Sequence, residues 1–209
     1  MKNKLVIAAL LLSTFILGIV AKEWLVSSEK PTLISGYFYD QPTNITPFVL
    51  TDQYGEPFTQ QQFKKKWSLI FAGYTSCPDV CPTTLTNLTA AYPELEQLAD
   101  IQFIFLSVDP KRDDQAKLRQ YIEFFNPAFI ALHGPHVDLF PFSRQLGFIY
   151  TMVGEGENYD VDHSSGLVVI SPQGQRVAIL KPSPSELGGI GAFNPDALIE
   201  DMQRIIDYY

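Results

Sequence analysis

Two periods of apolar residues run along this chain. Trp67 to Tyr74 (Trp-Ser-Leu-Ile-Phe-Ala-Gly-Tyr) is an apolar run, as expected of a strand covered on both faces, and Ile101 to Val108 is a second one. Between them Leu85, Leu88, Tyr92, Leu95 and Leu98 recur at helical spacing. This predicts an amphipathic helix over Pro82 to Ala99, with Pro82 in the first turn, where a missing amide proton costs little. Leu118, Tyr121, Ile122 and Phe125 stripe a helix over Asp113 to Phe125, ended by Asn126-Pro127. Phe48 onward reads as a strand and turn, Phe129 to Leu132 as a short strand, and Val137 to Leu146 as a short helix. Gly166 to Ser171 and Arg176 to Leu180 are strands joined by the hairpin signal Pro172-Gln-Gly-Gln175. Asn194-Pro195 opens a last helix carrying Leu198, Met202, Ile205 and Ile206.

Strands alternating with helices imply an α/β fold: a central sheet, parallel at its heart, flanked by helices, with the hairpin as an antiparallel edge. In such sheets reactive groups collect where strands end and helices begin.

The N-terminus has a different pattern. Lys2 and Lys4 precede the apolar stretch Leu5 to Ala21, which Lys22 and Glu23 close. The stretch is somewhat short for a span of about 20 residues, yet longer than a signal-peptide core of roughly 7 to 15. Ile19 spoils a small-x-small cleavage site ending at Ala21, and Trp24, Leu25 and Val26 add an interfacial belt. Residues 1–28 are therefore expected to be an uncleaved membrane anchor, with a cleaved signal peptide as the alternative. The lysines put its start in the cytoplasm and the rest outside. Residues 29–46, rich in Pro, Thr and Gly, read as a tether with room for a short edge strand, and 47–209 as one globular domain.

A net charge of -8 supplies no basic footprint for nucleic acid. It suits a soluble surface, a metal cation or a basic partner.

Cys77 and Cys81, the only cysteines, lie in Tyr74-Thr-Ser-Cys-Pro-Asp-Val-Cys-Pro-Thr, at the junction of the first apolar run and the helix after it. Four-residue spacing in a helical turn puts both sulfurs on one face. A helix N-terminus favours thiolates, the form that attacks disulfides and binds metal. Outside the cytoplasm a structural disulfide is permitted, but one closing so small a loop removes little unfolded-state entropy. The spacing is one residue wider than the usual redox Cys-x-x-Cys, which suits a two-sulfur metal seat as well as a reversible disulfide.

Two thiolates leave an ion under-coordinated. Of the three histidines, His163 in Tyr159-Asp-Val-Asp-His-Ser-Ser-Gly166 is the expected third ligand, on a loop before an apolar strand, with flanking acids as an outer shell. His133 and His136, around Gly134-Pro135, read as turn residues, and Met152 as packing. Thiolates plus an imidazole suit copper, whose reduced form tolerates three ligands, whereas structural zinc wants a fourth.

Gly73-Tyr-Thr-Ser-Cys-Pro-Asp-Val-Cys-Pro-Thr-Thr-Leu85, Ser107-Val-Asp-Pro-Lys-Arg-Asp113, Phe124-Phe-Asn-Pro127 and Val161-Asp-His-Ser164, in this order, resemble the Sco/SenC family of copper-binding proteins. The resemblance implies a thioredoxin-like fold and a role in building the binuclear copper site of cytochrome c oxidase. It carries over Cys77, Cys81 and His163 as ligands of one copper ion, Cu(I) or Cu(II). Asp79, Asp109 and Asp113 match as well. Asp79 reads as a turn and helix-start residue, and Asp109 and Asp113 as caps of the following helix.

Two functions follow from these residues. One is a copper chaperone that passes its ion to the copper-site subunit of the oxidase. The other is a thiol-disulfide oxidoreductase in which Cys77 and Cys81 are the redox dithiol and reduce the cysteines of that site. Further partners expected are other copper carriers, a thiol reductant and, through the N-terminal helix, the cytoplasmic membrane, with the domain on its outer side. Peroxide removal carries less weight, because the Cys turn has no basic neighbour in sequence.

Overall fold

The computed structural model describes residues 29–154, 156, 159–183 and 191–209. The apolar stretch at 5–21 lies outside them, and no helix among the described residues is long and apolar enough to cross a membrane. Residues 32–207 with Tyr209 form the unit described below.

In chain order it contains β1 (Gly36–Asn44), β2 (Val49–Asp52), β3 (Pro57–Thr59), a 3-10 turn at Gln60–Phe63 and β4 (Trp67–Gly73). Then come α1 (Val80–Leu98), β5 (Ile101–Ser107), α2 (Gln115–Phe125), β6 (Ile130–His133) and α3 (His136–Leu146). The last elements are β7 (Tyr150–Val153), β8 (Asp160–His163), β9 (Leu167–Ile170), β10 (Gln175–Leu180) and α4 (Pro195–Tyr208).

Eight strands make one mixed sheet in the order β1-β10-β9-β4-β5-β6-β2-β3. β4, β5 and β6 are parallel, and every residue of β4 and β5 is buried, as their unbroken apolar runs predict. β9 and β10 add the expected antiparallel hairpin beside β4, and its turn is closed by Gly174 at φ 77°, a conformation that glycine adopts without strain. β1, inside the span read as a tether, pairs antiparallel with β10 and forms one edge of the sheet. The buried residues Leu85, Leu88, Tyr92 and Leu95 lie in α1, and Leu118 and Ile122 in α2.

The structure adds what short-range pattern did not supply. β7 and β8 form a separate two-stranded hairpin, with Tyr150 opposite His163. In α4, Asp201 is fully buried and accepts hydrogen bonds from the Ile34 and Ser35 amides (2.6 and 2.8 Å) and the Ser35 hydroxyl (2.6 Å), so a carboxylate joins the helix to the segment before β1.

Candidate metal centre

The carboxyl end of β4 runs into the turn that carries Cys77, and α1 begins at Val80, so Cys81 falls in its first turn. The turn is pinned from below. Asp113, 2% exposed, accepts from the Thr75 amide (3.1 Å), the Thr75 hydroxyl (2.5 Å) and the Ser107 hydroxyl (2.7 Å). Lys117 Nζ donates to Ser76 Oγ at 3.1 Å and to the Arg112 carbonyl at 3.2 Å. Cys81 is fully buried against the core, whereas Cys77 is half-buried, and both are free thiols.

His163 closes β8 and brings Nε2 to 3.7 Å from Cys81 Sγ. The two sulfurs and a ring nitrogen of His163 all lie within 4.8 Å of one another. Nδ1 donates to the Ser164 carbonyl at 3.0 Å, because that oxygen can only accept, which turns Nε2 toward the sulfurs. Phe71 and Tyr74 meet the imidazole edge-on, with ring centroids 6.1 and 6.0 Å away. Two expectations are corrected here: the histidine ends a strand rather than riding on a loop, and its outer partner is a backbone carbonyl. Asp160 and Asp162 point to solvent from β8.

The thiols are electrostatically unequal. A hydrogen bond from Cys81 pulls the Cys77 thiol down to about 4; burial opposes this, and hydrogen bonds from His163 and the Cys81 and Asp79 backbone reinforce it. The Cys81 thiol is pushed up by the same hydrogen bond, then by burial and by the charge on Cys77. The pair is therefore polarised, with the negative charge favoured on half-buried Cys77 and the proton on buried Cys81. Burial also raises the Tyr74 hydroxyl.

Asp109 and Asp113 are not helix caps. The cap of α2 is Asp114, which accepts from the Lys117 amide at 2.8 Å. Asp109, fully buried, accepts from the Tyr159 hydroxyl (2.5 Å) and is paired with Arg112 Nε. Asp79 does occupy the cap position of α1 and lines the cleft with Cys77 and His163, yet among the described residues its side chain caps no helix amide. His133 and His136 lie apart from the centre, and His136 Nδ1 is hydrogen-bonded to Tyr150 OH at 2.9 Å. Met152 packs on the core and lines a different cleft with His136 and Lys111. The basic neighbours missing from the local sequence are supplied by the fold, since Lys117 reaches Ser76 and the Arg112 guanidinium lies 5.5 Å from the Tyr74 ring. Sequence reasoning did not find Gly73, Tyr74, Arg112 or Tyr159, whose roles depend on residues far along the chain.

The sequence pattern of the SCO1/SenC family matches residues 39–188. An SCO2-like protein of Rickettsia prowazekii is 35% identical over 174 residues, covering 79% of this chain and 85% of the relative. The structure superposes on copper-bound ScoI of Arabidopsis thaliana with a TM-score of 0.70 and 28% identity, covering 78% of this chain and 98% of that one. Copper-bound yeast Sco1 gives a TM-score of 0.69 at 27% identity, covering 80% and 91%. The fold is thus the thioredoxin-like fold of these proteins, with mixed sheet and flanking helices. On the extent of the sequence match and the shared architecture, the chain belongs to the SCO1/SenC family.

Proposed function

We propose that this protein holds one copper ion through Cys77, Cys81 and His163 and delivers it to the binuclear copper site of cytochrome c oxidase during assembly. The observation that carries this reading is the convergence of two sulfurs and an imidazole nitrogen within 4.8 Å, from residues 82 positions apart. Two thiolate sulfurs and a neutral imidazole suit reduced copper, which accepts three ligands, better than zinc, which wants four. The copper-bound relatives from Arabidopsis and yeast support the choice of metal. His163 is the one ligand carried by the β7–β8 hairpin, so it can part from the ion while both sulfurs keep it. Residues 1–28 would anchor the chain in the cytoplasmic membrane, and the domain, with β1 from the 29–46 span as its edge strand, would work on the outer side. Copper titration tests the ligand set: His163→Ala is expected to bind more weakly, and binding as tight as the parent's would show the set to be wrong.

The inequality of the thiols favours a second reading, reduction of the acceptor's cysteines. The Cys77 thiolate attacks one sulfur of an acceptor disulfide, forming a mixed disulfide and expelling the other sulfur as a thiolate. Cys81 then loses its proton and attacks Cys77, releasing the acceptor as a dithiol and leaving a Cys77–Cys81 disulfide for a thiol reductant to reopen. This needs both thiols but not His163. Oxidase assembly that fails with Cys77→Ser and proceeds with His163→Ala would favour it over copper delivery.

A further inference from the structure

The β7–β8 hairpin pairs with itself and, among the described residues, shares no ladder with the eight-stranded sheet that carries the cysteines. Packing of Tyr150, Tyr159 and Val161 seats it on the core. The direction in which it aims His163 must come from side-chain bonds, and these converge on alternate residues of one short run. At Tyr159 the hydroxyl is held by Asp109, the carbonyl accepts from Arg112 Nη1 at 2.7 Å, and the ring lies 3.8 Å beneath the Arg112 guanidinium. At Val161 the side chain packs into the same core cluster as Tyr74, and the Tyr74 ring lies 5.5 Å from Arg112. At His163 the same Tyr74 ring meets the imidazole edge-on.

Arg112 is fixed in turn by the sheet. It sits in the turn after β5, its amide donates to the Asp109 carbonyl at 3.2 Å, and its Nε pairs with the buried Asp109 carboxylate. A buried carboxylate is retained only where it is paired and hydrogen-bonded, and Asp109 has both partners. Arg112 thus touches the sheet turn, Tyr159 and the ring against His163. A guanidinium can do all three because it is planar, stacks on rings and donates in a fixed fork, which an ammonium cannot.

We propose that Arg112, clamped by Asp109, is a positioning residue that aims His163 at the two sulfurs through Tyr159 and Tyr74, and so sets how tightly the site holds copper. This rests on the ligand reading above. The test is Cu(I) affinity of the full chain in detergent, measured by competition with a chromogenic Cu(I) chelator. The variants are Arg112→Met, Arg112→Lys, Tyr159→Phe and His163→Ala, and Arg112→Met combined with His163→Ala. Outer partners of metal ligands typically change affinity by roughly 10- to 100-fold. Arg112→Met is expected to weaken binding within that range, Arg112→Lys to restore little, and Tyr159→Phe, which keeps the ring under the guanidinium, to weaken it less. In the His163→Ala background Arg112→Met should cause no further loss, which a general loss of stability would not reproduce. Parent-like affinity in both Arg112→Met and Tyr159→Phe, with His163→Ala weakened, would overturn the positioning role and leave the ligand set standing. An undiminished effect of Arg112→Met in the His163→Ala background would also overturn it. Parent-like affinity in His163→Ala itself would remove the ligand set and the positioning role together.

Discussion

A β-carbon on Gly73 would stand 2.9 Å from Cys81 Sγ and 2.6 Å from the Phe105 ring, so the buried sulfur occupies the space that a side chain at the end of β4 would take. Both neighbours are fully buried and have no free room to yield. Overpacking of this kind costs about 1–3 kcal/mol. Gly73→Ala is expected to lower the urea midpoint by that margin and to weaken copper binding, because the displaced atom is one of the proposed ligands. A variant with the parent's midpoint and affinity would show that this contact is slack.

Alkylation should separate the two thiols. With Cys77 drawn down to about 4, its thiolate persists throughout the neutral range, whereas an ordinary thiol near 8.5 loses about tenfold in thiolate per pH unit below its pKa. The iodoacetamide rate at Cys77 is expected to stay nearly flat from about pH 8 to pH 5 and to fall only as the pH drops through about 4. Cys81, buried and raised, should stay unlabelled in the native protein.

Cys81→Ala removes the largest cause of the low Cys77 value, its hydrogen bond from Cys81. The midpoint of the Cys77 rate profile should then move upward. A profile that stays in place would assign the activation of Cys77 to His163 and the backbone instead.

Asp113→Ala leaves the Thr75 amide, the Thr75 hydroxyl and the Ser107 hydroxyl without their acceptor. The Ser107 hydroxyl is buried and the Thr75 donors are partly so, and a buried donor left unmet costs roughly 1–3 kcal/mol. A loss of several kcal/mol in urea denaturation is expected, with Asp113→Asn milder because its amide oxygen still accepts. A loss under about 0.5 kcal/mol, the range of an ordinary surface substitution, would contradict the network.

Asp201→Asn tests the link between α4 and the segment before β1. An amide has one oxygen where the carboxylate uses two, Oδ1 for Ile34 and Oδ2 for Ser35. Hydrogen exchange at the Ile34 and Ser35 amides should accelerate, while amides of β4 and β5 keep their protection.

The elements that were legible in sequence are those whose signal is long. Seven consecutive buried positions in β4 and in β5, bounded by turn residues, and the helical stripe of α1 are signals of that kind. β8 was not legible, because two of its four residues are aspartates, which strands disfavour and turns accept. Asp109 and Asp113 carry the same local signal as a true cap, and only contacts 50 residues away at Tyr159 and 38 away at Thr75 distinguish them from Asp114. Asp201 stands among apolar positions of α4, so a search for the stripe passes over it. The identity of the three ligand candidates could be read because cysteine and histidine are scarce in this chain; how they are aimed could not, since Arg112 and Tyr159 act across the fold.

The 82 positions that separate Cys81 from His163 order the birth of the site. A chain emerging from its amino end presents both thiols long before its imidazole exists. β4, moreover, gains its neighbour β9 only from residues just beyond His163. A chain still being made is therefore first an open dithiol, and the three candidate ligands can converge only once β8 and β9 have arrived. The order of synthesis makes the dithiol available before the imidazole that would complete a metal site.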